Sequence, residues 1–315
     1  MRRQHTLSQR RKTGNRKTAS KASSQNRAAK LTHPVLALLF FFVFSIFGLR
    51  YVEKFFDGSP PQQTAPAVAD KSSLADKSAV VDKPIEKRIR RPRVVLIIDD
   101  LGQSREQVDR LLRIEQPLNL AVLPYLPYSE YAARAAYREG NDVILHLPME
   151  PKYSTGYTAD DAGEGVLLLG FPIKRIRDEV RKNIEAVPKI VGVNNHMGSK
   201  FMENKETVET VIKELKAQGL YFIDSLTTPK SYGYSVAKRL GVKTLKRDIF
   251  IDRSKNHSKE YTVGQLDRLV RIAEKNGIAV GIGHPYPQTI DALMEYMPRV
   301  AKKVEFMKIS AASLD

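Results

Sequence analysis

The chain carries two unrelated hydrophobic patterns. Residues 31–49 form a run of nineteen positions without Lys, Arg, Asp or Glu. A helix lying on a globular domain shows polar residues every third or fourth position, and none interrupts 35–44. At about 1.5 Å per residue the run reaches roughly 28 Å, close to the hydrocarbon thickness of a bilayer. It predicts a single transmembrane helix over 31–50. Beyond residue 92 the pattern changes. Val94-Val95-Leu96-Ile97-Ile98 is a continuous, mostly β-branched run, as expected of a strand covered on both faces. Similar strands are predicted at 118–123, 143–147, 190–193, 220–223, 242–245, 278–282 and 304–309. Amphipathic helices lie between many of them, including 173–186, 207–218, 263–275 and 289–301, and Ser104 is a candidate N-cap for the first. Seven or eight such alternations in about 220 residues predict one α/β domain over 93–315, built as a parallel β/α barrel. An open doubly wound sheet is the alternative.

Charge sharpens the topology. The formal net charge is +17. Ten Lys or Arg residues fall in 1–30, where no acidic residue offsets them, which leaves +7 for the other 285 residues. The excess therefore belongs to the tail, and nucleic acid is not an expected partner. By the positive-inside rule 1–30 is a cytoplasmic tail and the folded domain lies outside the cytoplasm, periplasmic in a two-membrane envelope. Membrane lipid is the partner of the anchor. The best signal-cleavage site, Ala67-Val68-Ala69, lies beyond Arg50, Glu53 and Lys54, too distant for a cleaved leader. Residues 51–92 include Pro60-Pro61 and the near-repeat Ala69-Asp70-Lys71-Ser72 / Ala75-Asp76-Lys77-Ser78, and read as a flexible tether.

Candidate chemistry comes from the strand ends. Asp99-Asp100 follow the first strand, and His146 ends the third. Asn194-Asn195-His196 end the fourth, Asp224 the fifth, and His284 a later one. In β/α barrels these ends converge on one rim, where ligands bind, and three of the six histidines sit there. Cysteine is absent, so a metal would be held by His, Asp or Glu. Two His and one carboxylate with an open position for water form a hydrolytic metal site. A second carboxylate can take a proton and another His can give one. The competing reading makes the aspartates helix or turn caps and His146 a satisfied core histidine. Tyr125 and Tyr153 are candidate glycan contacts, since sugars stack on aromatic faces; His257 sits in a polar run and reads as solvent-exposed.

Four segments carry a resemblance. Ile98-Asp99-Asp100-Leu101-Gly102, His146-Leu147-Pro148-Met149-Glu150, Asn194-Asn195-His196-Met197-Gly198-Ser199 and Gly283-His284-Pro285 together resemble the divergent polysaccharide deacetylases, over about residues 92–312. The resemblance implies an irregular seven- or eight-stranded barrel and metal-dependent removal of N- or O-acetyl groups from a cell-envelope glycan, with zinc the expected ion. It makes Asp99 the base, Asp100 and His146 metal ligands, His284 the general acid and Asp224 the carboxylate that orients it. Glu150 stands where the related polysaccharide deacetylases place a second ligand histidine, and His196 is the candidate replacement. Asn194 and Asn195 replace a segment that normally binds acetate, so they join Glu150 as candidate substrate contacts. These departures leave a second expectation, an inactive barrel retained as a glycan-binding or partner-docking module.

The anchor has a direct check. The full-length chain should sediment with membranes and resist carbonate extraction, and deletion of 31–49 should release it to the soluble fraction.

Overall fold

A computed structural model describes residues 91–253 and 258–311. The predicted tail and span, and the tether up to residue 90, lie outside these residues. Among the described residues no helix is long and apolar enough to cross a membrane.

Strands and helices alternate as expected. The order is β1 (Arg93–Leu101), α1 (Arg105–Leu111), β2 (Asn119–Val122), α2 (Ser129–Arg138), β3 (Asp142–Met149), α3 (Ile173–Ala186), β4 (Ile190–Met197) and α4 (Lys205–Ala217). It continues with β5 (Tyr221–Asp224), α5 (Gly233–Arg239), β6 (Thr244–Lys246), β7 (Ile249–Phe250), α6 (Lys259–Asn276), β8 (Ile278–Gly283), α7 (Pro287–Val300) and β9 (Glu305–Phe306). Local chemistry fixes the helix starts. Ser104 caps α1 by accepting from the Gln107 amide, and Asn204 and Ser258 do the same for α4 and α6. Gly277, at φ +80°, ends α6 in the left-handed conformation. The two-residue β7 has no counterpart among the predicted strands, since two residues carry no readable alternation.

All the strand ladders are parallel, in the order β6-β5-β4-β3-β2-β1-β8-β7, with β9 also beside β1. The predicted closed barrel is corrected by this order. Among the described residues no ladder joins β6 to β7, so the sheet curls into a half-barrel open along one seam. Only two residues separate β6 from β7, and a parallel pair needs a crossover connection of a dozen or more. The doubly wound alternative fails for a different reason. One apolar cluster joins the outer face to helical residues such as Val108, Val211, Leu269 and Leu293. The inner cluster comprises Val95, Ile97, Ala121, Ile144, Tyr221, Ile223, Val280, Ile282, Met307 and Ile309, with no helical member. The sheet's own curl and the C-terminal segment cover that face.

Asn119 fastens the segment in place. Its amide nitrogen donates to the Leu96 and Met307 carbonyls, and its oxygen accepts from the Ile309 amide. Asn119→Ala leaves those buried backbone groups unpaired, so it should lower stability by about 1–3 kcal/mol in urea unfolding and speed exchange of the Ile309 amide. Unchanged exchange at Ile309 would show that the residue is not the fastening.

Candidate metal and catalytic centre

Strand pleating decides which side chains reach the open end of the half-barrel. Successive residues of a strand face opposite sides. In β1, Val94, Leu96 and Ile98 face the helices while Val95 and Ile97 face inward, so Asp99 continues the inner series. By the same count Asp100 would face the helices. It instead takes φ +58°, and the β1–β2 register slips between Ile98 and Leu101. This bulge brings both carboxylates to one place, at the cost of a left-handed non-glycine residue. In β3, Ile144 leads inward to His146. In β4 an extra residue at the start of the ladder shifts the phase, so Val193 faces the helices and Asn194 and His196 face inward.

The result is a cleft of about 380 Å³ lined by Asp99, Asp100, His146, His196, Asp252 and His284 among others. Asp100 Oδ1 lies 3.1 Å from His146 Nε2 and 3.0 Å from His196 Nδ1, and the two nitrogens are 3.0 Å apart. These three residues form a group whose donor atoms are close enough to share one ion. Two observations on the donors fit a cation. Asp100 Oδ1 is buried and receives no well-directed hydrogen bond, although both imidazoles are near. Two facing imidazole nitrogens 3.0 Å apart can share either a proton or a cation. Asn194 prepares His146 for this. Its amide nitrogen donates to Asp99 Oδ1 at 2.7 Å, so its oxygen accepts from His146 Nδ1, also at 2.7 Å. The imidazole is thereby held with its Nε2 lone pair toward the shared point.

The remaining groups are tuned in opposite directions. Burial raises the Asp99 carboxyl above its ordinary range, against the pull of His146 and His284. Burial also works against charge at Asp100, but the two imidazoles of His146 and His196 close beside it outweigh burial and hold it well below that range. For His284 burial favours the neutral ring, yet Asp252 outweighs it and lifts the pKa to about 9. Asp252 Oδ1 lies 3.0 Å from His284 Nδ1, while its Oδ2 accepts from the His284 amide at 2.5 Å and from the Thr289 hydroxyl at 3.0 Å. His284 Nε2 is then left facing Asp100 Oδ2 at 3.9 Å.

Several expected residues fall elsewhere. Asp224 does not orient His284; Asp252 does. Asp224 shares the phase of Phe222, on the helix-facing side, and accepts from the Ser231 hydroxyl and the Leu226 and Tyr234 amides. Glu150 neither lines the cleft nor approaches the imidazoles. One of its oxygens accepts from the Leu169 amide and the other pairs with Lys200 at 2.5 Å. Asn194 is buried behind His146 and Asp99, and does not line the cleft. Asn195 lines it, but its side chain is taken up by Ser225, Met197 and Thr227 of the β4 and β5 ends. Tyr125, whose ring would meet a Cβ placed on Gly165, and the exposed Tyr153 lie outside the cleft lining. Asp252 was legible in principle: Ile249 and Ile251 face the helices, Phe250 faces inward, and Asp252 follows in phase.

Known proteins align with the same region. The family described as divergent polysaccharide deacetylase matches residues 96–313. The uncharacterized protein YibQ of Escherichia coli (strain K12) is 31% identical over 219 residues, covering 70% of this chain and 66% of that one, just under two thirds of its length. An uncharacterized protein of Haemophilus influenzae is 28% identical over 215 residues, covering 68% of this chain and 74% of its own. The crystal structure of the uncharacterized protein ATU2773 from Agrobacterium tumefaciens C58 superposes with a TM-score of 0.65 at 26% identity, over 70% of this chain and 89% of that one.

The Asp252–His284 pair makes a testable claim about charge. In the metal-free protein the His284 imidazole should titrate near pH 9 by NMR. Asp252→Asn removes the charge that favours the protonated ring, so the midpoint should fall by about 1–3 units.

Proposed function

The chain belongs to the divergent polysaccharide deacetylase family, and from that premise we propose that it is a divalent-metal-dependent hydrolase that removes acetyl groups from a cell-envelope glycan. The observation that carries the reading is the convergence of Asp100 Oδ1, His146 Nε2 and His196 Nδ1 within 3.1 Å of one another. Those residues would hold the ion, with zinc suited to a His-and-carboxylate set. When bound, such an ion polarises the acetyl carbonyl and acidifies a water molecule at neutral pH.

The protein's own groups do the rest. Asp99, with Oδ1 fixed by Asn194 and Oδ2 facing His146 Nε2 at 3.7 Å, takes the proton of the attacking water. Its raised pKa makes it a better base than an ordinary aspartate. His284, kept protonated by Asp252, donates from Nε2 to the departing amine or alkoxide. The apolar anchor predicted over 31–50 supports an envelope location, which puts the cleft within reach of exported polysaccharide.

With zinc-loaded full-length protein, acetate should be released from an N- or O-acetylated oligosaccharide, and chelation should stop it. Asp99→Asn and His284→Gln should each lower kcat by roughly 10²–10⁴-fold with the metal still bound. Glycan binding with no acetate release from any acetylated saccharide would favour the inactive-module reading instead.

A further inference from the structure

The charged groups around the cleft are matched with one exception. Asp99 and Asp100 lie against His146 and His196, and Asp252 against His284. Nearby Lys152 pairs with Glu203, and Lys200 with Glu150. Arg253 also lines the cleft and is exposed, and among the described residues no carboxylate pairs with it. An exposed arginine beside such a cleft has its donors available to a ligand.

Its surroundings hold it for that use. The guanidinium lies 5.2 Å from the centroid of the Phe250 ring, a cation–π distance that limits the wandering of a long side chain. Phe250 in turn stacks on His284, with centroids 5.9 Å apart and planes inclined by 24°. The order Arg253, Phe250, His284 places the cation on the side of the cleft where the proton donor sits. A second guanidinium adds to the positive potential. Arg247 lies 3.8 Å from the same ring centroid, with donors committed to the Ser225 and Leu226 carbonyls. Burial and then the charge of Arg253 hold Arg247 below its usual range. Two cations share one aromatic ring, and only one of them is occupied.

We infer that Arg253 recognises a carboxylate on the acetylated sugar or on its immediate neighbour, so that the cleft selects an anionic glycan over a neutral one. The location of the sugar rests on the deacetylase reading: His284 protonates the leaving atom, which belongs to the sugar, so Arg253 lies on the sugar side of the scissile bond. Guanidinium is the group suited to this task, since its planar fork meets both oxygens of a carboxylate. A neutral saccharide would leave the arginine solvated and gain nothing from it.

Calorimetry on the zinc-loaded full-length chain tests this without requiring turnover. Three N-acetylated oligosaccharides of equal length serve as probes. One is neutral, one bears an ether-linked lactyl carboxylate on the acetylated sugar, and one carries a uronate as the neighbouring sugar. At least one carboxylated probe should bind about tenfold tighter than the neutral one, and the preference should shrink as salt is raised. The two carboxylated arms separate the two positions of the charge. Arg253→Gln should bring the ratio of carboxylated to neutral affinity close to one, and Arg253→Lys should restore part of it. Equal affinities in the wild-type chain, or a preference that survives Arg253→Gln, overturns the inference. Acetate release is followed on the same samples. A carboxylate preference that depends on Arg253 but yields no acetate sinks the deacetylase reading and leaves the recognition role standing.

Discussion

Three donor atoms from three different strands can meet only if their side chains leave the sheet on the same side, and the pleat of a parallel strand allows every second residue to do so. In β3 the apolar alternation leads directly to His146. In β1 and β4 it does not, and irregularities correct the phase. A left-handed Asp100 with a slipped register turns the second carboxylate inward, and an extra residue near the start of β4 brings Asn194 and His196 into phase. Everything proposed about chemistry depends on those two local departures from regular pleating. Each has an energetic cost, and each lies in a strand whose far end carries polar residues.

Below this rim the fold supplies rigidity. The curled sheet buries its inner face against itself and against the C-terminal segment that Asn119 fastens, while the helices cover only the outside. One buried amide then links the sheet to the site. Asn194 holds Asp99 with one atom and sets the tautomer of His146 with another, which couples the position of the carboxylate to the orientation of the imidazole. Asp252 acts similarly for His284, reaching both its ring and its backbone amide. The cleft thus separates into a half around His146 and His196 and a half around His284 and Asp252, joined at Asp100.

Much of this was legible in the sequence because polar residues at the ends of apolar runs stand out. Asp99, Asp100, His146, His196 and His284 all do so, and the structure assembles them in one cleft. The errors share a physical origin. Asp224 follows its apolar run as conspicuously as His146 follows its own, but sits in the opposite phase, and that position alone does not reveal phase. Asp252 was overlooked because its strand is two residues long, too short to register as apolar periodicity. The closed barrel was expected from the count of alternations, which carries no information about whether the last two edges can pair. Glu150 occupies a motif position yet spends both oxygens on its own loop and Lys200.

The central claim is that one cation sits between Asp100, His146 and His196, and X-ray absorption at the zinc edge of the loaded full-length protein reads that environment directly. The account predicts one ion per chain with two imidazole nitrogens and at least one oxygen around it, and loss of one imidazole contribution in His196→Ala. A spectrum with oxygen neighbours alone, or one that His196→Ala leaves unchanged, would contradict it.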